Sequence, residues 1–305
     1  MTLLVHAGLH KTGTTWLQKR VFEPRHGSDI EYCGDIGLIY RQILVPGPDE
    51  FMAETARQAF APLREQASIG QRLAVISGEN LAGRPFHARF QREIAADRLA
   101  AVFPDARILL TIREQGAIIR SMYGQYLRFG YTSDLCSFLT EPPPEAAYRP
   151  VLDRAFYDYD RLIAAYERVF PAENILVLPF EWMLANPDAM IARLSAHTGA
   201  ALSAIGADTA RKVTNSAWSD LAYAALRHLN RFDNQDSRWQ RKPGWLHPNS
   251  IAARIDRLTP RRLRHRMQQK RIELITEMIG DRYAASNRVV AARIGIDLAA
   301  LGYVT

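Results

Sequence analysis

The sequence predicts an α/β protein: one central, mostly parallel sheet sandwiched between helices in three layers, with extra helices towards the C-terminus. Three observations carry this. Four short runs, Leu3-Leu4-Val5-His6-Ala7, Leu73-Ala74-Val75-Ile76-Ser77, Arg107-Ile108-Leu109-Leu110-Thr111-Ile112-Arg113 and Ile175-Leu176-Val177-Leu178-Pro179, are apolar nearly throughout instead of alternating, as strands buried on both faces are. Stretches with apolar residues at helical spacing separate them. Polar residues able to do chemistry stand where three of the runs end, the edge at which open parallel sheets bind ligands.

In chain order, the first strand runs into the loop Gly8-Leu9-His10-Lys11-Thr12-Gly13 and then a helix holding Trp16, Leu17 and Phe22. Phe51 to Ala67 reads as a helix with Phe51, Ala56, Ala59, Phe60 and Leu63 on one face. The second strand ends in Gly78-Glu79-Asn80-Leu81. A helix over Phe90 to Val102 and a turn at Pro104-Asp105 lead to the third strand, and a helix over Glu114 to Phe129 follows at once. Glu141-Pro142-Pro143-Pro144-Glu145 reads as a loop. A helix over Arg154 to Phe170 and a turn over Pro171 to Asn174 precede the fourth strand, which leads into Phe180-Glu181-Trp182-Met183.

The chain has 305 residues, 48% hydrophobic and 23% charged, ordinary for a globular protein. No Gly/Ser linker or charge block divides it, which favours a single domain over 1–305 with 217–305 as a mainly helical extension packed on it. Cys33 and Cys136 are too few for a disulfide framework, and no run reaches the roughly 18 to 20 apolar residues that span a bilayer. The start lacks a basic n-region and a cleavage site, so a soluble, cytoplasmic protein is expected. The net charge of +7 suits a polyanionic nucleotide or an anionic acceptor and proves neither. Arg254 to Ile279 reads as an amphipathic helix pair with a solvated basic face; binding of a polyanion through that face is the other reading.

The first loop offers backbone N–H groups, threonine hydroxyls and the Lys11 ammonium at the positive end of a helix dipole, an anion site suited to phosphate. Its order is not that of a Walker A loop, in which the lysine follows the second glycine; here Lys11 precedes Gly13. A glycine-bearing turn with a surface lysine is the plainer alternative. Arg113 and Ser121 lie eight residues apart, a guanidinium at a strand end and a hydroxyl about two helical turns along. Taken singly, the first reads equally as a strand-end ion pair and the second as a neutral helix serine.

His10-Lys11-Thr12-Gly13-Thr14-Thr15-Trp16 resembles the 5′-phosphosulfate loop of sulfotransferases that use 3′-phosphoadenosine-5′-phosphosulfate (PAPS), and Arg113 with Ser121 resembles their 3′-phosphate segment. Tyr159 to Met183 looks like the family's last core strand with its Glu-bearing turn, Phe180 standing where Tyr is frequent. Ser286-Asn287-Arg288, Gly295-Ile296-Asp297-Leu298 and Gly302-Tyr303 look like the tail of bacterial members. The resemblance implies a P-loop-like fold, sulfuryl transfer from PAPS and no metal. It places Lys11 beside the oxygen bridging phosphate and sulfuryl group, Thr12, Gly13, Thr14 and Thr15 around the 5′-phosphate, and Trp16 against adenine; a core residue of the first helix is the other reading of Trp16.

Glu79 is the expected general base, as in the glucosaminyl 3-O-sulfotransferases that its segment resembles, and a carboxylate in a partly dry cleft can have a raised pKa. A helix-capping or Arg-paired Glu is its alternative, and His87, then His6 and His10, are rival bases. Arg241-Lys242-Pro243-Gly244 and Arg211-Lys212-Val213-Thr214-Asn215-Ser216 are two candidates for a further 3′-phosphate loop. The acceptor is expected to be a hydroxyl, on a carbohydrate or glycolipid, with no nucleic acid as partner. A P-loop kinase or NTPase would need Mg²⁺ and an Asp closing a strand beside the loop, where the sequence offers Glu79 and Arg113. A polyanion-binding protein is the reading from outside the enzymes.

Overall fold

The computed structural model describes residues 2–85, 91–140, 152–204, 218–232 and 247–305. His87, the Glu141–Glu145 loop and both candidate 3′-phosphate loops lie outside these residues. Two compact units emerge. The first comprises the described residues of 1–114, 155–214 and 283–305, the second those of 115–154 and 215–282, so that the C-terminal stretch 217–305 is shared between them.

The first unit is built on five parallel strands in the order β2-β3-β1-β4-β5, with β1 at Leu3–Gly8, β2 at Ile30–Cys33, β3 at Leu73–Ser77, β4 at Arg107–Ile112 and β5 at Ile175–Pro179. Every residue of β1 and β3 is buried, as unbroken apolar runs demand of strands covered on both faces. Four strands match the reading from sequence. The fifth, β2, escaped it because Ile30-Glu31-Tyr32-Cys33 alternates: it is a short edge strand, buried only at Ile30. Because β3 pairs with one side of β1 and β4 with the other, the strand order reverses at β1, and the crevice at its carboxyl end is the switch point where such sheets hold ligands.

Local chemistry adjusts several helices. The one expected over Phe51 to Ala67 is two, Ala53–Ala59 and Ala61–Ile69, since Pro62 in the first turn of the second has no N–H with which to continue the first. The helix expected over Arg154 to Phe170 opens as a 3-10 turn at Arg154–Tyr157 and becomes α-helical at Tyr159–Glu167. After β1 only Thr14–Trp16 is α-helical before the chain widens into a π-helical turn at Leu17–Phe22. Trp16, Leu17, Val21 and Phe22 enter a core with Leu4, Val75, Leu109, Leu178 and the helix Pro187–Thr198 through Met190, Ile191 and Leu194.

The second unit is helical: Gln115–Arg128, Leu135–Leu139, Asp220–Asn230, Pro248–Leu258 and Arg261–Ile279, with Pro260 ending the amphipathic run between the last two. Its buried Arg271 approaches Asp220 at 2.7 Å. Among the described residues no helix is long and apolar enough to cross a membrane, and no group of three or more His, Cys, Asp and Glu side chains is placed to hold a metal ion.

Candidate active site

The carboxyl end of β1 is a glycine for a steric reason: a Cβ on Gly8 would lie 2.5 Å from the Thr14 hydroxyl and 2.7 Å from that of Thr111. The loop folds back at once. Thr12 N–H donates to the Leu9 carbonyl at 3.3 Å, its hydroxyl donates to the same carbonyl at 2.6 Å, and it pairs with the Thr111 hydroxyl at 2.7 Å. Thr12 is fully buried, so its hydroxyl fastens the loop to β4 and is not offered to a ligand. Lys11 and Gly13 both take left-handed backbone, φ 68° and φ 87°. Glycine is tolerant there and lysine is not. A Cβ on Gly13 would in addition stand 2.5 Å from the Phe180 ring.

What remains open is the start of the helix. No side chain caps it, so the first-turn N–H groups have no side-chain acceptor. The Thr14 hydroxyl is buried with no hydrogen-bond partner, an orphan expected where a ligand oxygen belongs. Thr15 is half-buried beside it, and the half-buried Lys11 brings the ammonium. Trp16 is 5% exposed and packed in the core, the second of its two readings, which leaves little of the ring for an adenine.

On one flank, β3 ends at Gly78, whose N–H donates to the His6 carbonyl at 3.0 Å, and the chain turns through the 3-10 segment Glu79–Ala82. The buried Tyr166 hydroxyl holds that turn from below through the Leu81 carbonyl at 2.9 Å. Glu79 is half-buried, with Oε2 2.9 Å from His10 Nδ1. Burial by itself would raise the pKa of this carboxyl, but the hydrogen bond and charge attraction of His10, with smaller help from Lys11 and His6, outweigh it, and the net direction is downward. The raised value that a dry cleft suggested is therefore corrected: the sequence could not show that the imidazole six residues after Leu4 folds onto the end of β3. His6 is wholly buried between the Ser77 hydroxyl (2.8 Å) and the Thr111 hydroxyl (3.2 Å), and burial drives its pKa down to about 3 against the weaker pull of Glu79. Neutral and fully engaged, His6 is a tie across three strands.

On the other flank, β4 stops at Ile112 and Arg113 is the first residue past the ladder. Its Nη1 donates to the Lys11 carbonyl at 2.9 Å, its guanidinium lies 5.0 Å over the Phe180 ring, and its Nε, 3.8 Å from Glu181 Oε1, is buried without a hydrogen-bond partner. Glu181 accepts from the Glu114 N–H at 3.2 Å and from the Tyr303 hydroxyl at 3.0 Å, and the Tyr159 hydroxyl donates to the Arg113 carbonyl. Burial raises the Glu181 pKa beyond what those hydrogen bonds and Arg113 lower it. Sequence reasoning quoted Glu181 and Tyr303 without giving either a task; a carboxylate at the carboxyl end of a buried strand, the signal used for Glu79, also marks Glu181.

Lys11, Glu79 and Arg113 are thus brought to the ends of three adjacent strands. Ser121 lies half-buried on the helix Gln115–Arg128 of the second unit.

A family model described as the sulfotransferase family matches residues 41–204, more than half of the chain. The match takes in Glu79, Arg113 and Ser121 and begins after the Gly8–Trp16 loop. Among solved structures the chain is similar to a sulfotransferase from Alicyclobacillus acidocaldarius at TM-score 0.50 and 20% identity, over 79% of this chain and 99% of that one. It also aligns with the sulfotransferase domain of the Synechococcus PCC 7002 olefin synthase (TM-score 0.39, 13% identity, 90% and 93% covered). A mouse sulfotransferase, SULT7A1, complexed with PAP aligns at TM-score 0.38 and 14% identity, with 94% and 88% covered. No curated protein sequence matches the chain.

Proposed function

The chain belongs to the sulfotransferase family, and on that premise we propose that it moves a sulfuryl group from PAPS to a hydroxyl of a carbohydrate or glycolipid. The observation that carries this is the convergence of an ammonium, a carboxylate and a guanidinium, Lys11, Glu79 and Arg113, on the switch point of a parallel sheet. The residues fit the donor. Thr14 has an orphan buried hydroxyl, the first-turn N–H groups lack a side-chain cap, and Arg113 keeps its Nη2 beyond the one bond it donates from Nη1. Gly13, Thr14 and Thr15 would hold the 5′-phosphate and Arg113 the 3′-phosphate. Trp16 and the Thr12 hydroxyl are left out of that set because both are used inside the fold.

PAPS supplies the sulfuryl group and a phosphate that departs with the electrons of the broken S–O bond. Glu79 would accept the proton from the acceptor hydroxyl as the acceptor O–S bond forms, and Lys11 would balance the negative charge that develops on the departing phosphate. Such an in-line displacement asks the protein chiefly for positioning and electrostatics. A carboxylate kept ionised by His10 is ready to take a proton at neutral pH. The carbohydrate acceptor is supported by that carboxylate, which stands where the glycan O-sulfotransferases that the β3 end resembles carry theirs. We place the enzyme in the cytoplasm on its two unpaired cysteines, Cys33 and Cys136.

The test is calorimetry with the desulfated nucleotide, followed by transfer from labelled PAPS to a panel of glycan, glycolipid and phenolic acceptors with and without EDTA. Binding of the nucleotide and EDTA-resistant transfer to a glycan are expected. Lys11→Ala is expected to lower kcat/KM by about 10² to 10³. Absence of nucleotide binding, or transfer abolished by EDTA, overturns the reading.

A further inference from the structure

Glu79 does not stand alone at the end of β3. His10 reaches across from the first loop and is 16% exposed, with Nδ1 2.9 Å from Glu79 Oε2 and Nε2 2.8 Å from Asn80 Oδ1. With an oxygen at each ring nitrogen, the contacts are satisfied by an imidazolium; with the Asn80 amide turned end for end, they are satisfied by the neutral ring protonated on Nδ1. Both solutions put the proton that faces Glu79 on Nδ1. They also leave Nε2 occupied by Asn80, so His10 has no nitrogen to offer an acceptor hydroxyl, whereas Glu79 keeps Oε1. The order of the two groups is therefore carboxylate in front, imidazole behind.

The approach of Nδ1 is short but off the line of an ideal hydrogen bond, and by strict geometry the atom is unsatisfied. The charged and titratable groups acting on Glu79 are His10 and Lys11 from the loop and His6 from β1. His6 is locked between Ser77 and Thr111, and Lys11 is wanted at the donor. His10 is left as the group that can hold the carboxylate without another duty.

We propose that His10 is a positioning residue for the proton transfer, its Nδ1–H orienting Glu79 as proton acceptor while Asn80 fixes the ring from behind. This rests on Glu79 being the base. Without His10, burial is the largest influence left on Glu79 and works against its charge.

The experiment compares wild type, His10→Ala, His10→Gln and Glu79→Gln by the pH dependence of kcat/KM, with donor affinity followed by calorimetry. Titration of ¹³C-labelled glutamate carboxyls by NMR supplies a readout independent of turnover. His10→Ala is expected to move the acid limb of the profile upward by about one pH unit or more, with donor affinity kept. The rate lost at mildly acidic pH should return towards neutrality. His10→Gln, whose amide can still donate, is expected to move the limb less. In the NMR titration the resonance missing from Glu79→Gln should titrate higher in His10→Ala. A rate loss uniform across pH with an unmoved limb, or an unmoved Glu79 titration, overturns the proposal. If the wild-type protein transfers no sulfuryl group, the reading of the base fails, and the NMR titration still decides whether His10 governs this carboxylate.

Discussion

The two flanks of β1 each bring a glutamate to the carboxyl edge of the sheet, and the two glutamates are treated in opposite ways. Glu79, beyond β3, has an imidazole at 2.9 Å and its pKa moves down; Glu181, beyond β5, has a guanidinium at 3.8 Å and its pKa moves up. Burial opposes the charge of both and is the largest influence on each. A close partner reverses it at Glu79, while the looser approach of Arg113 leaves it uncorrected at Glu181. The β3 flank has few constraints on its carboxylate and is suited to moving a proton. The β5 flank is braced by Phe180, Glu114, Tyr159 and Tyr303 and is suited to holding a cation still.

Three measurements can break or sharpen this contrast. The largest effect is expected from Glu79→Gln, which should lower kcat by about 10² or more with donor affinity preserved, since general-base catalysis contributes about 10² to 10⁴. A kcat near wild type would pass the role to another group. Next, Glu181→Ala should weaken the donor about tenfold, the equivalent of one charge-assisted hydrogen bond, while kcat stays within about threefold. A fall in kcat larger than the change in donor affinity would erase the distinction between the flanks.

The smallest effect is on stability against pH. His6 binds a proton at about 6.5 when unfolded and only near 3 when folded, so between those values the unfolded chain holds more protons and the protein loses stability as pH falls. Glu79, with its lowered pKa, works in the same direction; Glu181, with its raised pKa, loses stability as pH rises. Urea midpoints at pH 7 and pH 4.5 should therefore drop on acidification in wild type and drop less in His6→Gln. Equal slopes in the two proteins would mean that His6 is not the group responsible.

Much of this architecture was legible beforehand because hydrophobic continuity reports burial on both faces. β1, β3, β4 and β5 announce themselves in that way, and their polar ends follow. β2 does not, because an edge strand covered on one side carries the mixed pattern of a surface segment. Glu79 and Arg113 were found because they stand at the ends of such runs, and Lys11 because the loop after the first run carries it between two glycines. Contacts between segments far apart in the chain had no comparable signal: the Thr12 hydroxyl on Thr111, ninety-nine residues away, and the Tyr303 hydroxyl on Glu181 are decided by the packing of the sheet and not by any local pattern. Trp16 illustrates the limit from the other side. An aromatic at helical spacing reads the same whether it faces a ligand or a core, and the fold put it in the core.

The backbone of Lys11 has a consequence for attempts to engineer this protein. A non-glycine residue at φ 68°, kept there by the hydrogen bond from Arg113 to its carbonyl, occupies a conformation that costs an L-amino acid about 1 to 2 kcal/mol and costs glycine far less. Glycine at this position would make the loop more comfortable and remove the ammonium that we assign to the sulfuryl donor. A library screened only for thermal resistance would accordingly enrich inactive molecules at residue 11, and the discomfort of that one residue is a marker of where tolerance of the fold has been set aside for chemistry.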